Sequence, residues 1–104
     1  MEQAVLVYLR LIDHPFGSDR EREAIFDLED MLCDAIDGQD VGLFDGEEFG
    51  GGRCVLFMYG PDADRLFAVV EPVLKASRFM RSGFVIKRYG PAEDYSAVEV
   101  RVNF

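Results

Sequence analysis

Two stretches of this chain are apolar on both of their faces, and that restricts the fold more than any other feature. Read as a strand, Gln3–Ile12 places Val5, Val7, Leu9 and Leu11 on one side and Ala4, Leu6, Tyr8, Arg10 and Ile12 on the other. In Arg53–Tyr59, Cys54, Leu56 and Met58 oppose Val55, Phe57 and Tyr59. Successive strand side chains point to opposite faces, so a strand without a polar side belongs inside a sheet and not at its edge. Both are predicted to be central.

The segments between them read as helices and lesser strands. Ser18-Asp19-Arg20-Glu21 fits a capping box, in which the serine hydroxyl and the glutamate three residues on each satisfy a free amide. Ala24, Ile25, Leu28, Leu32, Ala35 and Ile36 then recur at helical spacing, and Asp37-Gly38 supplies a stop. Val41–Phe49 and Arg53–Tyr59 form a predicted hairpin through the glycines at 50–52, with a bulge or tight turn at Asp45-Gly46. Gly60-Pro61 opens a second helix with proline at its first position, Asp62 and Asp64 in the first turn, and Leu66, Phe67, Val70, Val73 and Leu74 buried. Pro72 is expected to kink or split this helix one turn before its end. Phe84–Tyr89 and the strictly alternating Ala97–Phe104 complete the pattern.

The order is β-α-β-β-α-β with a terminal β, which predicts one α+β domain over residues 1–104. It is the ferredoxin-like split βαβ arrangement, an antiparallel sheet with two helices on one face. In that arrangement the first and third strands are central. "VLFMYGPDAD" and "VIKRYGPAED" share Tyr-Gly-Pro at a separation of thirty residues. The echo does not match the fold's own half-repeat, so each copy is read as a strand leaving the sheet through Gly-Pro.

Charge limits the partners. The net charge is −9, which argues against general nucleic-acid binding, since phosphate contacts need Lys and Arg. Residues 13–48 hold 13 of the 20 acids and only Arg20 and Arg22 as bases, whereas residues 72–92 hold five bases and no acid. This segregation suits two solvated surfaces, or an acidic face for a basic partner with a small anion site near Arg78–Arg88. No apolar run is long enough for a membrane span. Glu2 and the lack of basic residues ahead of the first apolar stretch argue against a secretory signal, so a bacterial, cytoplasmic setting is expected.

No catalytic set stands out. Cys33 and Cys54 form no CxxC pair and are expected to be reduced packing residues. Asp45–Arg53 lacks the features of a phosphate loop, and the acids Asp45, Glu47, Glu48, Asp62 and Asp64 lack EF-hand spacing. No metal and no cofactor is expected. His14 is the only histidine and has no orienting partner in the sequence.

The segment Val41–Ser77 resembles a family of small bacterial proteins of uncharacterised function. The resemblance rests on a DG-x-E-x-G-x-G hairpin at Asp45, Gly46, Glu48, Gly50 and Gly52, followed by YG-x-DAD-x-LF at Tyr59, Gly60, Asp62, Ala63, Asp64, Leu66 and Phe67. It implies a compact ferredoxin-like domain and brings no activity and no catalytic residues.

Three functional expectations follow. The first is a non-enzymatic domain that binds a protein partner or forms a homodimer through its open sheet face or an edge strand. The second is an acidic immunity-type protein that neutralises a basic toxin through Asp27, Glu29, Asp30 and Asp34, because opposite potentials speed and select encounter. The third is a small-ligand or enzymatic dimeric α+β barrel domain. It would use Tyr8, His14 and Arg88, with Met58 and Tyr59 as further candidates that point to opposite faces of one strand.

Overall fold

The computed structural model describes residues 2–104. Its elements are β1 (Gln3–Arg10), α1 (Asp19–Ile36), β2 (Leu43–Gly50), β3 (Arg53–Gly60), α2 (Ala63–Lys75), a short 3₁₀ turn (Arg78–Ser82), β4 (Phe84–Arg88) and β5 (Glu99–Asn103). The five strands make one antiparallel sheet in the order β2-β3-β1-β4-β5. This α+β arrangement is compatible with the predicted ferredoxin-like pattern, with β5 added beside β4. Among the described residues, no helix is long and apolar enough to cross a membrane.

β1 and β3 lie inside the sheet, as their two-sided apolarity predicts. Val5, Val7, Leu9, Cys54, Leu56 and Met58 face the helices and are almost wholly buried, together with Ile25, Leu28 and Leu32 of α1 and Leu66, Val70 and Leu74 of α2. Burying one such side chain contributes about 1.5–3 kcal/mol.

The start of α1 is fixed by a double clamp. Ser18 caps the helix by accepting from the Glu21 amide at 3.1 Å, and Glu21 Oε1 accepts from the Ser18 amide. Glu21 Oε2 also accepts from the amide of Ile12 at 2.8 Å, which ties the exit of β1 to the helix start. Burial of Glu21 pushes its carboxyl pKa up, but the amides of Ile12, Ser18, Asp13 and His14 outweigh this and leave it below the usual range. The β2–β3 hairpin turns through Gly51 and Gly52, both at positive φ, as a two-residue turn of the primed kind requires. Gly52 then accepts from the Leu11 amide and donates to Pro15, so the hairpin tip holds the loop after β1. The bulge at Asp45-Gly46 is present, as a register shift between Phe44 and Gly46.

Several details differ from expectation. Asp62, and not Pro61, starts α2: its carboxylate accepts from the amides of Asp64 and Arg65, a stronger cap than proline can give, and Pro61 stays outside. α2 is not split at Pro72 and runs on to Lys75. The partner that Pro72 cannot serve is the carbonyl of Ala68, an exposed residue whose carbonyl water can satisfy. β2 starts at Leu43 and not at Val41, and just before it the backbone runs tightly against the end of β3. A Cβ on Gly42 would strike the Tyr59 carbonyl oxygen, and one on Gly60 would strike that of Val41. The 3₁₀ turn was not expected. It is capped by Ser77 and inserts Met80 into the core.

Ser18→Ala should lower the unfolding free energy by about 1–2 kcal/mol, the usual cost of losing such a cap. Glu21→Ala should cost at least as much, because it strands the amides of Ile12 and Ser18. Urea denaturation checks both, and midpoints equal to the parent's would contradict the clamp.

Candidate functional site

The sheet face away from the helices is paved by side chains, with one recess at its Arg10 end. Its rows follow from the register: Tyr8 lies between Val55 and Phe84, Leu6 between Phe57 and Ile86, and Ala4 between Tyr59 and Arg88. Ala4 and Leu6 are buried even on this side, because larger neighbours close over them. The remaining apolar residues of these rows are half-buried. Tyr8 and Phe84 stack with ring centroids 4.7 Å apart and planes 9° from parallel. The Arg101 guanidinium lies 3.7 Å above the Phe84 ring, and Arg53 stands about 6 Å from both rings. Such cation–ring contacts stabilise by roughly 0.5–1 kcal/mol at exposed sites. Beside them a recess of about 510 Å³ is lined by Arg10, Arg53, Ser82, Phe84 and Arg101 with Tyr8.

Tyr8, His14 and Arg88 are not brought together. Tyr8 lines this recess. His14 is exposed in the loop beyond the Arg10 end of β1, where its Nδ1 accepts from the Phe16 amide at 3.1 Å. Arg88 stands toward the opposite end, paired across β1 with Ala4. Its Nε donates to the Gly90 carbonyl at 2.8 Å, and its Nη2 is buried without a hydrogen-bond partner. Met58 faces the helices and belongs to the core. Tyr59 lies on the open face, where burial and then Asp45 raise its hydroxyl pKa while Arg88 lowers it.

The four α1 acids divide. Asp27, Asp30 and Asp34 are exposed, but Glu29 is half-buried and its Oε2 has no hydrogen-bond partner. Burial, then Glu47 and Asp30, push the Glu29 carboxyl up to about 7. The last turn of α1 carries no base, and its cap is Asp37. Negative charge there opposes the helix dipole.

Neither thiol is activated. Burial pushes Cys54 up to about 12, with Glu29 and Glu47 adding and Arg22 opposing. Cys33 is exposed on α1 and is not the packing residue expected; partial desolvation and then Asp30 raise its thiol. Among the described residues, no group of three or more His, Cys, Asp or Glu could hold a metal ion.

One polar cluster was missed from the sequence. Asp64 Oδ1 accepts from the Tyr89 hydroxyl at 2.6 Å and from Lys87 Nζ at 3.0 Å, tying the first turn of α2 to the end of β4. These two donors, Tyr89 first, lower the Asp64 pKa. The available signal was the second Tyr-Gly-Pro, whose tyrosine is this donor.

The chain matches no family model, no curated protein and no solved structure, so its own chemistry must carry the functional reading.

Glu29 makes stability depend on pH. Its folded pKa is raised, so the folded state keeps a proton that the unfolded chain sheds near 4.5. The cost is fully present above about pH 7 and is relieved as pH falls from there toward 4.5. Glu29→Gln should therefore stabilise the protein at pH 8 by about 1–2 kcal/mol, a value reduced from the full shift for the carboxyl's partial solvent access. At pH 5 the gap should nearly close. Thermal melts of both proteins at the two pH values test this, and an equal gap at both would overturn it.

Proposed function

We propose that the chain is a non-enzymatic self-associating domain on a ferredoxin-like frame, and that two copies meet through the free edge of β5. The carrying observation is the contrast between the two sheet edges. β2 is protected by a bulge and by Asp45, Glu47 and Glu48, devices that discourage strand pairing. β5 has no bulge and no proline.

Its backbone phase and charges suit a second copy. The Val98 carbonyl accepts from the Tyr89 amide, so the even-numbered residues of β5 bond inward and Glu99, Arg101 and Asn103 present their amides and carbonyls outward. An antiparallel two-fold pair centred on Val100 would set Glu99 of each chain against Arg101 of the other. Val98 would lie opposite Val102. Val98 is 64% exposed and Val100 42%, so the pairing would cover apolar surface that α2 leaves open.

The separation of Tyr8, His14 and Arg88 gives the ligand or enzyme reading of the open face no support. The acids of α1 favour a second reading, a basic protein partner of the kind an immunity protein meets. Asp34 sits where a base would serve the helix better. Asp34→Lys should raise stability by about 0.3–1 kcal/mol, measured by urea denaturation. A loss of stability would remove the basis of this reading.

Sedimentation equilibrium should show a dimer. Glu99→Arg should weaken association by at least about tenfold, because like charges then face each other twice across the two-fold. Glu99→Arg combined with Arg101→Glu should restore it. A monomer at all concentrations, or a dimer indifferent to both variants, would overturn the proposal.

A further inference from the structure

At one end of the sheet, four arginines from three separate elements converge. Arg10 ends β1, Arg20 lies in the first turn of α1, and Arg78 and Arg81 belong to the 3₁₀ turn. All four line one concave cavity of about 360 Å³. This is within the size range of small-molecule sites.

None of the four side chains is ion-paired or hydrogen-bonded among the described residues, and Arg78 alone has a cation–ring contact, 5.3 Å over the Phe79 ring. Among the described residues the ion pairs are Lys75–Glu71 and Lys87–Asp64, which involve no arginine. The side chains that donate to Phe16, Gly90 and Asn103 are Arg22, Arg88 and Arg101. Two carboxylates share the cavity wall, Asp13 and Glu21, but both are engaged elsewhere. Glu21 accepts from the amides of Ile12 and Ser18, and Asp13 accepts from Ser18 Oγ at 3.0 Å. Four guanidinium groups against two carboxylates leave an excess of two positive charges, although the whole chain carries −9. An acidic chain that gathers arginines without acidic partners concentrates repulsion at that point, and a bound anion would remove it.

We propose that this cavity binds a small organic phosphate monoester. Its dianion matches the excess charge, and the guanidinium fork pairs two-pronged with phosphate oxygens. The Ser82 hydroxyl lies in the same wall and supplies a further donor. Ile12, 84% exposed, and Phe79 give the cavity an apolar side for the organic group. A long polyanion is disfavoured, since the acids of residues 13–48 would repel the parts of it that extend past the cavity.

The test is calorimetric or NMR titration of the intact chain with phenyl phosphate at pH 7.5 and low salt. Saturable one-site binding is expected, with a dissociation constant below about 1 mM. Arg78→Gln with Arg81→Gln should weaken it about tenfold or more, as should Arg20→Gln on a different element. Arg65→Gln, on the exposed side of α2, should not change it. Ile12→Ser should erase the preference for phenyl phosphate over inorganic phosphate. Thermal melts of each variant establish that it is folded. The proposal is overturned by any of four results: no saturation up to about 10 mM, arginine variants that bind as the parent does, an equal loss in Arg65→Gln, or benzoate binding as tightly as phenyl phosphate.

Discussion

Everything in this fold hangs on the double burial of β1. Val5, Val7 and Leu9 are sealed under the helices, and Ala4 and Leu6 are sealed on the opposite side. A strand in that position must be hydrogen-bonded along both edges, and it is: β3 lies on one side and β4 on the other, each antiparallel to it. β3 and β4 therefore run parallel to each other and leave the sheet at the same end. That end holds the two Gly-Pro exits, at Gly60-Pro61 and Gly90-Pro91. The other end holds Arg10, paired with Arg53, and the arginines of the 3₁₀ turn. The polarity of the molecule is thus a consequence of one strand's surroundings.

What could be read from the residues was what depends on local rules. The capping box at Ser18, the stripe along α1, the glycine hairpin, the bulge at Asp45-Gly46 and the two central strands each need only a short window of sequence. Helix boundaries near proline were harder. Pro61 and Asp62 compete for the same role, and only the three-dimensional cap shows that the carboxylate wins. The 3₁₀ turn is too short to show a period, so Met80 gave no sign of being a core residue.

The candidate sites were legible in part for the same reason. The basic stretch around Arg78 hinted at an anion site, but Arg10 and Arg20 come from a strand end and a helix start far away in the chain. Their convergence is a property of the topology. Glu29 shows the converse: it sits among the α1 acids in sequence, yet its helical phase turns it toward β2 and partly out of water. Its carboxyl then responds to Glu47 on the neighbouring strand, and not only to its own helix.

The pairing of β1 also has a temporal side. The β2–β3 hairpin closes between Gly50 and Arg53, almost without a loop. β1 must wait, since Gln3 pairs with Gly60 and Ala4 with Arg88. During synthesis β1 therefore emerges ahead of both of its partners and finds the last of them only after β4 has followed. Long-range pairing of this kind is slow and leaves apolar side chains and unpaired strand backbone unprotected meanwhile. The segment that makes the finished sheet cohere is thus the one most exposed to aggregation while the protein is being made.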